Sequence, residues 1–224
     1  MRTLSLFAAA LLAAGPLAAQ QAAPAAKQAD PDKAVAGSGA LPEGWNWRPD
    51  RAGAALANVK FSPMGKGYHV TLGPSLILWR DADRVNGPFH TLATFTQQKP
   101  AAHPEGYGLL IGGQALNGEG QKYTYFLVRQ DGKFLIKERN GAETKDVTAG
   151  WVDHAAVQKP GADGTAVNKL EVDGKASTDK VRFMVNGQVV HEMDPKDVDS
   201  NGIVGFRVNH NLDVHIDGFD IHRM

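Results

Sequence analysis

The residues best placed to do chemistry lie in two neighbouring stretches, Tyr123–Arg129 and Lys133–Arg139. Side chains of an extended chain alternate with a period of two. Extended pairing of the two stretches therefore puts Tyr123, Tyr125, Arg129, Lys137 and Arg139 on one face. Flat aromatic rings suit the apolar faces of sugars, and fixed cationic donors suit hydroxyls or uronate carboxylates. A second polar cluster, Asn209-His210-Asn211-Leu212-Asp213, is expected to close over that face, with Asn209, His210 and Asn211 as contacts. The plainer alternative is an exposed sheet face on which Tyr and Arg pack along one another. Trp45, Trp47, Trp79 and Trp151 are expected mostly in core or clamp roles.

Other chemistry is less well provided for. Retaining glycoside cleavage needs two carboxyls about 5–5.5 Å apart. Glu171-Val172-Asp173 runs on as Gly174-Lys175-Ala176-Ser177, with no further acid. Glu171 is expected to face Arg182 as an ordinary cross-strand ion pair. Asp197-Val198-Asp199-Ser200-Asn201-Gly202 matches the first half of a calcium loop, which gathers oxygens for a hard cation. Position twelve is Val208, not Glu, so Asp197, Asp199 and Asn201 form only a weak calcium candidate; no other cofactor is implied. The 8 histidines lack the i, i+4 helical zinc spacing. With no cysteine and no G-x-S-x-G, nucleophilic catalysis has no support, and no catalytic residue is assigned.

The elements that must position these residues read as strands. Runs of Val, Ile, Phe, Tyr and Thr broken by Gly, Asn and Asp give about twelve: 57–61, 68–72, 75–79, 89–97, 106–112, 123–129, 133–139, 168–173, 180–185, 188–193, 203–208 and 213–222. Short turns at 81–86 and 154–158 are the best helical guesses. The loop Gln130-Asp131-Gly132, with Gly132 in the left-handed region, pairs Val128 with Phe134 and Phe126 with Ile136. Asn186-Gly187 suits a type I′ turn, pairing Phe183 with Val190 and setting Arg182 and His191 on one face. A hairpin over 209–213 is expected to pair Val208 with Val214 and Phe206 with Ile216. The apolar phase then switches from even to odd, which predicts a bulge near Asp217-Gly218.

Charge and composition bound the rest. With 24 Lys+Arg against 24 Asp+Glu the formal net charge is zero, which argues against a nucleic-acid footprint. Residues 1–19 read as a signal peptide: Arg2, an apolar Leu4–Leu17 region, then Leu17-Ala18-Ala19 ahead of Gln20. Export follows, to periplasm or medium, with no membrane span in the rest of the chain. Residues 20–42, rich in Ala, Gln and Pro, read as a flexible linker. The aromatic residues beyond the signal all fall between Trp45 and Phe219, so the folded domain is set at 43–224.

The runs YGLLIGG (107–113), YTYFLVRQDGKFLIKERNG (123–141), VRFMVNGQVV (181–190) and GIVGFRVNHNLDVHIDGFDIHRM (202–224) resemble the concanavalin A-like lectin/glucanase jelly rolls. Laminin-G-like modules and bacterial 3-keto-disaccharide hydrolase-like domains are the nearest in pattern. The resemblance covers roughly 60–224 and rests on strand and turn signals. It implies an all-β, two-sheet antiparallel jelly-roll sandwich, one sheet concave, whose members bind glycans, cleave glycosides or mediate protein contacts. Many members hold calcium. The glucanase pattern E-x-D-x-x-E is incomplete at Glu171, and Tyr107–Gly113 lacks the Asn-Ser-Gly-Ile segment usual in the hydrolase-like domains.

The leading expectation is therefore an exported, non-catalytic domain that binds glycan or polysaccharide. One alternative is a glycoside hydrolase of the 3-keto-disaccharide type, with Glu171 and Glu138 brought together from separate strands. Another is a structural or protein-interaction module.

Overall fold

The structure, a computed structural model, describes residues 31–176 and 178–224. The expected signal peptide, the first part of the linker and Ser177 lie outside the described residues. In chain order the strands are β1 (Trp45–Pro49), β2 (Val59–Met64), β3 (Gly67–Leu72), β4 (Leu76–Val85), β5 (Phe89–Gln97), β6 (Gly106–Gln114), β7 (Lys122–Arg129), β8 (Lys133–Asn140), β9 (Glu143–Asp146), β10 (Val152–Asp153), β11 (Ala166–Gly174), β12 (Val181–Val185), β13 (Gln188–Met193), β14 (Gly202–Val208) and β15 (Asp213–Arg223). The expected all-β class is what the structure shows.

Twelve of these strands coincide, within a few residues, with the runs of alternating β-branched and aromatic residues. β1, β9 and β10 were not expected. β1 is an edge strand containing Pro49, which propensity disfavours. β9 reads Glu-Thr-Lys-Asp, exposed throughout, and has no apolar alternation to betray it. Neither helical guess survives. Residues 81–85 continue β4, and 154–158 form turns and irregular chain. Among the described residues the only helical turn is a 3-10 turn at Leu56–Asn58.

The strands form two antiparallel sheets. One runs β1-β4-β14-β6-β7-β8-β10, with β9 also paired to β8; the other runs β13-β12-β11-β5-β15-β3-β2. Between them lies the core, where Leu78, Leu109, Phe126 and Phe206 from the first sheet meet Phe95, Leu170, Phe183 and Ile216 from the second. Phe95 and Phe206 are set edge-to-face, ring centres 5.9 Å apart, a favoured aromatic geometry.

The β7–β8 register is as expected, with Val128 opposite Phe134 and Phe126 opposite Ile136. Gly132 takes φ +85°, the left-handed conformation that its loop requires. The β12–β13 turn is at Asn186-Gly187, but a bulge between Phe183 and Met184 moves the partner of Phe183 from Val190 to His191. Arg182 accordingly pairs with Glu192 rather than sharing a face with His191. The expected β14–β15 hairpin does not form. β14 lies between β4 and β6, while β15 lies between β5 and β3 in the opposite sheet. Val208 is thus set against Leu76 and Tyr107, and Val214 against Val70 and Gln97. A sheet-to-sheet crossover and a hairpin bury the same alternate residues, so the apolar pattern does not separate them. The bulge is where the phase switch puts it, between Asp217 and Asp220.

The stretch 31–42, expected as linker, runs along the sandwich. Gly37 N donates to Ala57 O at 2.8 Å, and Lys33 N to Asn211 Oδ1 at 2.7 Å. The domain described here begins at Pro31.

Candidate functional site

Strands β6, β7 and β14 are buried on both faces. Every residue of β14 is buried, and so are Gly106–Gly113 of β6 and Tyr123–Val128 of β7. Their core-facing side chains are Leu109, Phe126, Phe206 and their alternates. Their outward side chains form a second apolar cluster, which joins Ile77, Trp79, Leu110, Tyr123, Tyr125, Leu127, Leu135 and Ile203. Two loops pack against it. Leu116 comes from the 115–120 loop, which Arg48 of β1 holds by donating to Leu116 O (3.4 Å) and Gly118 O (2.7 Å). Trp151 comes from the loop between β9 and β10, with the Arg129 guanidinium 4.3 Å from its ring centre.

In the middle of this face stands Arg207, 8% exposed. Its two terminal nitrogens grip Asp50 in a fork, at 2.9 Å and 2.6 Å. One of them also donates to the Tyr123 hydroxyl at 3.3 Å, and the guanidinium lies 4.8 Å from the Tyr125 ring centre. A bidentate guanidinium–carboxylate pair is among the stronger polar contacts available, and the ring face adds a cation–π term. Its Nε is buried without an acceptor.

Burial would push the Asp50 carboxyl up. The hydrogen bonds and charge of Arg207 outweigh it, helped by Arg139 and Arg48, and hold it below the usual carboxylate range. Burial raises both the Tyr123 and the Tyr125 hydroxyl, against an opposing pull from Arg207. Asp50 therefore stays ionised and both tyrosines stay protonated through the neutral range.

Four of the expected contact residues come together here. Tyr125 is opposite Lys137, and Tyr123 opposite Arg139. Both rings are far more buried than an open sheet face would make them, at 4% and 5% exposure for Tyr123 and Tyr125. Arg129 sits at the far end of the strand, bound to Asp131 at 2.7 Å. The loop residues have another role. Asn211 accepts from Lys33 N and donates to Pro31 O, while His210 is bracketed by Asp32 (3.3 Å) and Glu105 (2.9 Å). Asn209 N donates to Gly106 O at 2.9 Å. The loop thus pins the 31–33 segment.

Beside Tyr123 and Arg139 a cleft of about 170 Å³ opens, lined also by Lys122, Glu138, Asn140 and Asp199. Glycines bring Asp199 there. A Cβ on Gly112 would come within 2.0 Å of Asp199 O, and one on Gly202 within 2.6 Å of the Gly112 backbone. Two of the three residues in the calcium-like spacing, Asp199 and Asn201, have side-chain oxygens engaged with protein donors. Asp199 accepts from Gln114 Nε2 (2.7 Å) and Asn201 N (3.1 Å), and Asn201 Oδ1 accepts from Gly87 N (2.8 Å). These bonds close a polar turn at Asp199–Asn201. Among the described residues no three His, Cys, Asp or Glu side chains are grouped to hold a metal ion.

The carboxylates weighed for catalysis belong to different sheets. Glu138 is on β8, 3.7 Å from Lys145. Glu171 is on β11, turned out from the seven-stranded sheet, bound to Lys169 (3.2 Å) and His90 (3.3 Å) and opposite Met184 rather than Arg182. Arg182 stands opposite Asp173.

The sequence reading missed Asp50, Arg48 and the central place of Arg207. One signal was available for the last: a lone Arg in the otherwise apolar run Gly202–Val208.

No family model matches the chain, and no curated protein sequence matches it. Solved structures do. The carbohydrate binding module CBM66 from Bacillus subtilis superposes with a TM-score of 0.53 at 9% identity, over 79% of this chain and 94% of that one. The metal-free Emp46p carbohydrate recognition domain gives 0.51 at 11% identity, over 80% and 88%. A Bacteroides ovatus GH16 protein, solved with an oligosaccharide product, gives 0.51 at 8% identity, over 80% and 95%. The chain shares their two-sheet jelly-roll fold. At these identities the likeness speaks for the jelly roll alone, and function must be argued from the site. No helix among the described residues is long and apolar enough to cross a membrane.

Proposed function

We propose that this protein is an exported, non-catalytic carbohydrate-binding domain whose ligand lies on the outer face of the eight-stranded sheet. The observation that carries the reading is Arg207. A guanidinium fixed by Asp50 and set 4.8 Å from the Tyr125 ring centre is a charge anchored in an aromatic setting. Tyr123, Tyr125 and Trp79 pack around it, nearly fully buried, and the half-buried Trp151, Lys137 and Arg139 form the accessible rim of this face. Sugars present such mixed surfaces, an apolar ring face edged with hydroxyls, and ligand sites generally combine apolar walls with a few fixed polar groups. Two of the solved structures that share the fold are a carbohydrate binding module and a carbohydrate recognition domain, in keeping with the reading.

A glycan array on residues 31–224 tests it, followed by calorimetry on the best ligand. Specific binding that weakens at least about tenfold in Arg139→Ala, with an unchanged melting temperature, is the expected result. A blank array, or binding indifferent to both Arg139→Ala and Lys137→Ala, would overturn it. A parallel assay for release of reducing sugar from bound ligand is expected to show no turnover, and turnover would refute the non-catalytic part.

A further inference from the structure

The cations of the outer face are unevenly matched. Lys137 has Asp146 at 3.0 Å, Arg129 has Asp131 at 2.7 Å, and Lys133 has Asp153 at 3.2 Å. Arg207 has Asp50. Two guanidiniums have no carboxylate within ion-pair distance among the described residues. Arg139 gives its Nε to Gly141 O at 2.7 Å, and Arg48 gives a terminal nitrogen to the Leu116 and Gly118 carbonyls. Both act on Asp50 electrostatically alongside Arg207, and they come from β1 and β8, which lie on opposite sides of β14 in the sheet. Three guanidiniums therefore converge on a single aspartate.

This surplus is local, because the chain as a whole is balanced. It is also half-buried, and like charges gathered in a poorly hydrated setting repel one another unless an anion joins them. The free edges of Arg139 and Arg48 remain available as donors, and the Tyr123 hydroxyl, which accepts from Arg207, still has its own proton to donate. The adjoining cleft has two carboxylates of its own. Glu138 has Lys145 nearby, Asp199 is held by Gln114, and Lys122 lines the same wall.

Within the carbohydrate-binding reading, on which this rests, we infer that the ligand is an acidic glycan whose uronate carboxylate is received between Arg139 and Arg48, beside Arg207. A planar carboxylate matches the guanidinium fork.

The test uses residues 31–224 and three probes: a uronic-acid oligosaccharide, the same oligosaccharide with its carboxyls methyl-esterified, and a sulfated neutral oligosaccharide of equal length. The free acid is expected to bind roughly tenfold more tightly than its ester. That advantage should shrink with added salt. Arg139→Gln should abolish it, so that acid and ester bind the variant equally. Lys145→Gln, which removes a charge from the exposed edge strand β9, should leave it intact and so separates the local effect from net charge. Equal binding of acid and ester overturns the inference and leaves the carbohydrate reading standing. Tighter binding of the sulfated probe than of the uronate overturns the choice of carboxylate. Failure of all three probes, on a protein that also gives a blank array, overturns both.

Discussion

The two outer faces of this sandwich are built on opposite plans. On the seven-stranded sheet the alternation is clean: along β5, each buried residue from Phe89 to Gln97 is followed by a half-buried one. Apart from Leu92 the outward set of β5, His90, Thr94 and Thr96, is polar. His69 lies opposite His215 and His90 opposite His222, with ring centres 6.1 Å and 5.8 Å apart. Asp213, Asp217, Asp220 and Glu171 each pair with one of these rings. On the eight-stranded sheet the alternation vanishes. β14 is buried throughout, and its single charged residue, Arg207, is tied to Asp50. A sheet needs only one dry face to fold. The second dry face, with a charge set into it, is the feature that folding alone does not require.

That contrast can be broken by measurement. The largest effect is expected at Trp79, 1% exposed on the outer face: Trp79→Ala should lose about 3–5 kcal/mol, as a core aromatic would. Leu92→Ala on the opposite outer face should lose about 1 kcal/mol, its side chain being only half-buried. Urea denaturation reads both, and equal losses would show that the faces are not different. Next is Asp50→Ala, which leaves the Arg207 charge buried without its partner and should cost about 3 kcal/mol. The half-exposed pair of His215 and Asp217 on the other face should matter much less, with His215→Ala changing stability by at most about 1 kcal/mol.

Two titrations sharpen the comparison with smaller effects. The Asp50 carboxyl is held below its ordinary 3.8, so its contribution is present above that value. It is lost as pH falls through the lower folded-state value. The acid limb of a melting-temperature profile below pH 4 should therefore be shallower in Asp50→Asn than in the wild type. At the alkaline end, burial lifts the Tyr107 hydroxyl to about 12. Its contribution is complete below pH 10 and is lost as pH rises toward 12, because only the unfolded chain releases that proton early. Ultraviolet titration should show a tyrosine ionising near pH 12 in the folded protein, and Tyr107→Phe should remove it.

How much of this was legible in the residues depends on what each feature needs. The β7–β8 register followed from one loop glycine and two matched apolar pairs, all local. The phase switch at Asp217-Gly218 was likewise visible as a slip in parity. β12–β13 shows the limit: the turn was right, but a bulge at Phe183 and Met184 leaves no trace in composition. The β14–β15 connection failed for a different reason. Which sheet receives a strand depends on pairing with β4, β6, β3 and β5, all far away in the chain. The candidate site divides in the same way. Tyr123, Tyr125, Lys137 and Arg139 come from one hairpin and were found together. Asp50 and Arg207 are separated by 157 positions, and only the fold brings them into contact.

The pinning of Pro31–Lys33 by Asn211 has a mechanical consequence. Asn211 lies in the crossover that carries the chain from β14 in one sheet to β15 in the other, and both of those strands are internal to their sheets. A pull arriving along the backbone at Pro31 is thus delivered to the seam joining the two layers. Only when those pins give way does it reach β1, the edge strand that follows in the chain.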